Sequence, residues 1–180
     1  MPLRVIGGEL GGRRLKGPPR SGVRPTADRV REAMFEVLGE AVEGARVLDL
    51  YSGTGALGIE ALSRGAEWCD FVEADSKACE VIRSNLMLTA LVDRSHVYPV
   101  QVSRALPRLE GPYELVVADP PYEYDRAEAE LAEVISRGLL ASGGTLVVEH
   151  SQRKVWPQQV GGLPQLTSRR YGDTRVTFYR

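Results

Sequence analysis

The chain has little of what metal, redox and triad chemistry requires. Its 180 residues include two cysteines, Cys69 and Cys79, and two histidines, His96 and His150. Two cysteines without clustered histidines make no convincing metal site, and in a cytosolic protein both are expected to be reduced thiols. The histidines lie far apart with no Ser or Cys arrangement around them, so both are read as structural. No apolar run is long enough to span a membrane, and the amino end lacks the apolar core of a signal peptide, so a cytoplasmic protein is expected. Internal repeats and long linkers are also missing. At this length one domain with a sizeable core is the default, and no segment asks for a dimer, so a monomer is expected.

What is present is unevenly spread. The formal net charge is −1, yet residues 1 to 31 carry Arg4, Arg13, Arg14, Lys16, Arg20, Arg24, Arg29 and Arg31 against Glu9 and Asp28. Such sign asymmetry points to a nucleic-acid partner, with the cations meeting phosphates and supplying affinity rather than base identity. The plainer reading is a solvated, charged terminus. Glycine and proline in the same stretch predict a flexible or loosely structured arm.

Asp119-Pro120-Pro121-Tyr122 is the most informative stretch. It follows Leu115-Val116-Val117-Ala118, which reads as a buried strand. Two prolines lack the N–H donors of a strand ladder, so the chain leaves the sheet at its carboxyl edge, where open α/β folds bind ligands. A carboxylate, a free proline carbonyl and an aromatic ring suit a planar base with an exocyclic amine. Asp119 and the Pro120 carbonyl accept its two N–H groups while Tyr122 stacks on the ring. That grip favours a pyramidal, more nucleophilic nitrogen. The bland alternative is an ordinary strand exit and turn.

A second motif lies upstream. Val47-Leu48-Asp49-Leu50 reads as a short strand, followed by Tyr51-Ser52-Gly53-Thr54-Gly55-Ala56-Leu57-Gly58, a G-x-G-x-x-G between strand and helix. Alone it fits NAD, FAD or S-adenosylmethionine. Asp49 would repel a pyrophosphate but could hold a cationic amino group, directly or through water. Glu73, ending the strand Phe71-Val72, is placed to accept both ribose hydroxyls. Together these favour S-adenosyl-L-methionine over a dinucleotide.

Asp49 to Gly58, Glu73 and Asp119 to Tyr122 resemble the motifs of class I amino-methyltransferases. The segments Val5 to Leu15 and Arg24-Pro25-Thr26-Ala27-Asp28-Arg29-Val30-Arg31-Glu32 narrow the resemblance to the RsmD family, over about Arg4 to His150. Those enzymes methylate a guanine N2 in 16S rRNA of the small ribosomal subunit. The resemblance implies a Rossmann-like, seven-stranded, mostly parallel sheet closed by an antiparallel hairpin. It implies a methyltransferase domain over 26–180, preceded by an RNA-contacting extension over 1–25. The implied catalytic residues are Asp119, Pro120, Pro121 and Tyr122. Cofactor contacts fall to Asp49, Ser52, Gly53, Thr54, Gly55, Glu73 and Thr26. The chain departs from the family after the third strand, where Val100-Gln101-Val102-Ser103 leaves the adenine to Gln101 or the backbone at Val102. RNA contacts fall to Arg4, Arg13, Arg14, Lys16, Arg20, Arg24 and Arg29. An adenine-N6 methyltransferase on DNA or RNA, and a non-catalytic RNA-binding assembly factor, remain the alternatives.

The patterning supports this α/β reading. Thr26 is expected to cap a helix whose stripe is Val30, Met34, Val37 and Leu38. Strands are expected at 45–50, 69–73, 96–100, 114–118 and 145–149. Helices are expected at 55–64, 76–90, 103–109 and 125–137. A hairpin of 166–170 with 175–179 follows.

Overall fold

The computed structural model describes residues 2–19 and 26–180. Arg20 and Arg24 therefore lie outside the described residues.

Apolar residues alternating with glycine turns produce a βα succession: α1 (Asp28–Leu38), β1 (Arg46–Leu50), α2 (Ala56–Ser63), β2 (Trp68–Val72), α3 (Ser76–Leu88), β3 (Ser95–Tyr98), α4 (Val102–Ala105) and β4 (Tyr113–Ala118). Next come α5 (Ala127–Ser136) and the strands β5 (Leu140–Ser151), β6 (Gln159–Val160), β7 (Leu163–Tyr171) and β8 (Thr174–Tyr179). The strand order is β3-β2-β1-β4-β5-β8-β7-β6, parallel through β5 and antiparallel beyond it. The expected parallel sheet with a closing hairpin is what forms. An eighth strand, the two residues of β6 on the outer edge of β7, adds to the expected seven.

Period-two alternation sends neighbouring residues of one strand into opposite cores. Val47, Leu115 and Val117 meet α1, α2 and α3 on one face, while Leu48, Leu50, Val116 and Ala118 meet α4 and α5 on the other. Asp49 lies between Leu48 and Leu50 and so points to the first face, under α2. Gly58 makes that packing possible, since a Cβ there would sit 2.4 Å from Phe71 Cε1 and 2.6 Å from Cys69 Sγ. The third glycine of the motif is thus a helix–strand contact.

Two local expectations fail for physical reasons. Thr26 does not cap α1: Ala27 holds that position without a side-chain bond, because the Thr26 hydroxyl donates to Asp119 Oδ2 at 3.1 Å. Nor is the amino segment loose where it is described. Leu3, Val5 and Leu15 are buried in the first core, and Arg4 bridges Arg14 in an antiparallel turn. The buried Glu60 of α2 accepts from the backbone N–H groups of Ile6 and Gly7, at 2.8 Å each. Asn85 of α3 accepts from Lys16 N and donates to its carbonyl. Arg31, fully buried on α1, donates to the carbonyls of Thr26 and Arg4, both at 2.6 Å, and to Asp28 Oδ1 at 2.9 Å. Sequence composition sees glycines and charges here; the alternating Leu3, Val5 and Leu15 carry the docking.

Candidate active site

The order of strand addition reverses between β1 and β4, opening a crevice at the carboxyl ends of the parallel strands. A cavity of about 1150 Å³ lies there. It exceeds the ~300–1,000 Å³ usual for one small ligand, giving room for a nucleoside-sized cofactor and a base together. Of the residues expected at the site, Thr26, Arg29, Ser52, Gly53, Thr54, Glu73, Gln101, Val102, Asp119, Pro120, Pro121 and Tyr122 line this one cavity. Asp49 and Gly55 stand behind its wall.

The wall formed by β1 and β2 is built from backbone and short-range bonds. Gly53 and Gly55 have φ of 56° and 80°, a conformation glycine adopts without steric cost. Ser52 donates from its hydroxyl to the carbonyls of Asp49 and Val72, tying the two strand ends together. Glu73 accepts from Gly53 N and Asp75 N, each at 2.8 Å. Each of its oxygens retains a second lone pair, so ribose hydroxyls can still donate to it. Asp49 Oδ2 accepts from Gly58 N at 2.9 Å, while Oδ1 is buried without a hydrogen-bond partner. Burial pushes this carboxyl well above its ordinary range, against the lowering effect of the Gly58 bond; Asp119 and Glu73 raise it further. An orphaned buried acceptor of this kind fits a cationic amino group, reached directly or through one water, which would also offset the desolvation. The residues present therefore suit S-adenosylmethionine, with Asp49 at its amino group and Glu73 at its ribose.

The wall formed by β4 and the β7–β8 turn is built from side chains far apart in sequence. Asp119 accepts the Thr26 hydroxyl on Oδ2, and no described residue bonds Oδ1. Desolvation raises its pKa to about 6, with the Thr26 bond opposing the shift. Tyr122 lies half-exposed at the cavity mouth, its hydroxyl 3.0 Å from Thr174 Oγ1. The turn itself is the tip of the expected hairpin, but nothing in the sequence paired Thr174 with Tyr122, because that contact exists only once β8 is in the sheet.

A tyrosine pair was also missed. Tyr51 and Tyr124 line the cavity with their rings edge to face at 5.9 Å. Both hydroxyls donate to the buried Glu130 of α5, at 2.5 and 2.8 Å. Tyr51 holds φ at 56°, a strained value for a residue with a Cβ, and the Glu130 bond helps to fix it there. The one available signal was Glu130 itself, an acid buried beside Ala127 and Leu131 on α5.

Comparison with known proteins agrees with this geometry. The family model described as "Conserved hypothetical protein 95" matches residues 3–180. The chain belongs to that family. Its members are RsmD-type class I methyltransferases, as the amino-terminal motif and Asp119 to Tyr122 imply. The chain is 38% identical over 181 residues to a putative rRNA methyltransferase, YlbH, of Bacillus subtilis, covering 99% of this chain and 98% of that protein. It is 35% identical over 147 residues to ribosomal RNA small subunit methyltransferase D of Escherichia coli, covering 82% and 74%. Among solved structures, the putative methyltransferase yhhF from Escherichia coli superimposes with a TM-score of 0.88 at 30% identity, covering 99% and 97%.

The amino-terminal cations are divided by the RsmD-type fold. Arg29 lines the cavity. Arg4 pairs with Asp28 at 3.0 Å, Arg13 donates to the Leu88 carbonyl, and Lys16 Nζ donates to Ser84 Oγ. Arg14 is exposed. Among the described residues no His, Cys, Asp and Glu cluster could hold a metal, and no helix is long and apolar enough to cross a membrane.

Proposed function

We propose that this protein transfers a methyl group from S-adenosylmethionine to the exocyclic N2 of a loop guanine in 16S rRNA, acting on the small ribosomal subunit or its precursor. The observation that carries the reading is Asp119. It is a desolvated carboxylate at a sheet's carboxyl edge, with one oxygen held by Thr26 and the other open to a cavity large enough for two ligands. The names of the relatives supply the class of RNA.

S-adenosylmethionine supplies the methyl carbon on a positively charged sulfur, which leaves as a neutral thioether when the nitrogen–carbon bond forms. Asp119 and the Pro120 carbonyl accept the two amine N–H groups and turn the nitrogen lone pair toward the cofactor wall. Tyr122 stacks on the base. Holding nitrogen and carbon in line at roughly 3–3.5 Å accounts for ~7–11 kcal/mol of the barrier. The alkylated nitrogen is acidic, and Asp119, with its pKa near 6, can receive the proton that it sheds. Withdrawing the base from its stack costs a few kcal/mol, least for a base already in a loop. Arg29 meets phosphates at the cavity, and Arg4, Arg13, Arg14 and Lys16 meet them along the docked amino segment.

The test is transfer of labelled methyl to unmethylated small subunits, with naked ribosomal RNA and duplex DNA in parallel, followed by nucleoside analysis. Label in N2-methylguanosine is the expected result. Label in N6-methyladenine would keep the catalytic geometry and overturn the choice of base. Cofactor binding with no transfer to any nucleic acid would favour a binding factor.

A further inference from the structure

The amino-terminal segment is not the chain's only basic region. Residues 151–180 carry six basic side chains against the single acid Asp173. Strand pairing gathers several of them. Arg170 and Arg175 are cross-strand partners, and Arg175 also pairs with His150. Residues in register share a face, so these side chains leave the sheet on one side. Lys154 joins them, since its Nζ lies 5.5 Å from the centre of the Trp156 ring, and that ring packs on His150 at 5.4 Å. The His150 ring is held down at about 4 by burial first, with Arg175 and Lys154 lowering it further and a bond to the Ser151 carbonyl opposing them. Its neutral ring therefore adds no cation to the cluster.

These charges are not spent on carboxylates. Lys154 donates to the Tyr124 carbonyl at 3.2 Å, Arg170 to the Gly172 carbonyl at 2.9 Å, and Arg175 to Ser168 Oγ at 3.3 Å. None of them takes part in an ion pair among the described residues. A neutral acceptor fixes a guanidinium or ammonium in place and leaves its charge for a polyanion. The cluster is also joined to the catalytic loop. Lys154 grips Tyr124, and Thr174 of the same hairpin bonds Tyr122. Arg29 lines the cavity from α1, and the 171–174 turn lines it from the hairpin.

We propose that the face of the β7–β8 hairpin bearing Arg170 and Arg175, with Arg153 and Lys154 beside it, is a second RNA-docking surface. It rests on the methyltransferase reading above. One strand of the substrate RNA runs over this face, and the target base drops into the cavity between it and the amino-terminal cations. The hairpin cations bind phosphates and place the RNA without reading its sequence.

The experiment compares the full chain with Arg153→Gln/Arg170→Gln/Arg175→Gln, measuring affinity for small-subunit RNA from 50 to 300 mM salt. Each lost phosphate contact lowers the steepness of log affinity against log salt by about 0.7. The triple variant is therefore expected to lose a slope of about 2, with S-adenosylmethionine affinity and melting temperature unchanged. The single exposed change Arg170→Gln keeps the test open if the triple variant folds poorly, with an expected slope loss of about 0.7. Unchanged slopes in a protein that methylates RNA would overturn the hairpin surface alone. An unaltered protein that neither binds nor methylates RNA would overturn the functional reading and this surface with it.

Discussion

The two walls of the cavity are built in different ways. On the cofactor side Asp49, Ser52, Gly53, Glu73 and Asp75 are linked within a few tens of residues, mostly through backbone groups. On the base side the decisive bonds are between side chains: Thr26 to Asp119, Tyr51 to Glu130 and Tyr122 to Thr174, separated by 93, 79 and 52 residues. The first wall is a property of consecutive βα units and survives wherever those units fold. The second exists only when helix α1, helix α5 and the β7–β8 hairpin have all docked. A cofactor used by many enzymes can be held by a local motif, whereas the base wall has to be assembled from distant parts.

The sharpest way to break the comparison is to undock α1 from the amino segment. Arg31→Met leaves the carbonyls of Thr26 and Arg4 without their shared donor and leaves Asp28 paired, among the described residues, with Arg4 alone. Each carbonyl left without a donor costs about 1–3 kcal/mol, so urea unfolding is expected to register a loss of roughly 2–5 kcal/mol. A loss below 1 kcal/mol would mean that the segment is held without this guanidinium.

Next comes Asp119→Ala, expected to lower kcat by about 10²–10³ while S-adenosylmethionine affinity, measured by calorimetry, stays near that of the unaltered protein. Equal loss of cofactor affinity would place Asp119 on the wrong wall.

Acidity separates stability from activity at the same carboxylate. Amine N–H groups need an ionised Asp119, so kcat/KM is expected to fall as pH drops through about 6. The folded pKa lies above the ordinary 3.8, so the folded state holds the proton more tightly than the unfolded chain. This group therefore favours folding increasingly as pH falls from above 6 toward 4. Thr26→Val removes the bond that opposes the upward shift, and the acid limb of the rate profile is expected to move to higher pH. An unmoved limb would assign that limb to another group.

The smallest effect is expected from Thr174→Val, which frees the Tyr122 hydroxyl. One exposed neutral hydrogen bond contributes about 0.5–1.5 kcal/mol, so kcat is expected to fall by roughly tenfold or less, with RNA affinity retained. Loss of RNA affinity instead would make the turn a binding element.

The same contrast explains what could be read from the chain. Asp49, the glycine loop and Glu73 were legible because strand, turn and helix follow one another in sequence. The apolar alternation of β1 and β4 also announced a sheet buried on both faces. Asp119 to Tyr122 was legible as a motif, and so was the place of Thr26 at the rim of the site; its bond to Asp119 was not, since a threonine before an apolar stripe gives the same local signal as a helix cap whichever partner it finds. Glu130, an acid on the apolar side of α5, was the one hint of its pairing with Tyr51, and nothing hinted at that of Tyr122 with Thr174, because tertiary docking alone brings those partners together. The amino segment misled through composition: its glycines and arginines masked Leu3, Val5 and Leu15, three apolar residues spaced to reach one core.

The placement of β8 between β5 and β7 has a consequence in time. A ribosome making this chain completes Asp49 to Asp75 well before it reaches Thr174, about 5–20 s earlier at 5–20 residues per second. A nascent chain thus owns every part of the cofactor wall before the partner of Tyr122 exists. The strand made last of the eight enters the sheet interior and brings that partner to the cavity mouth, so the residues of the cofactor wall are all synthesised before the base wall has its last member.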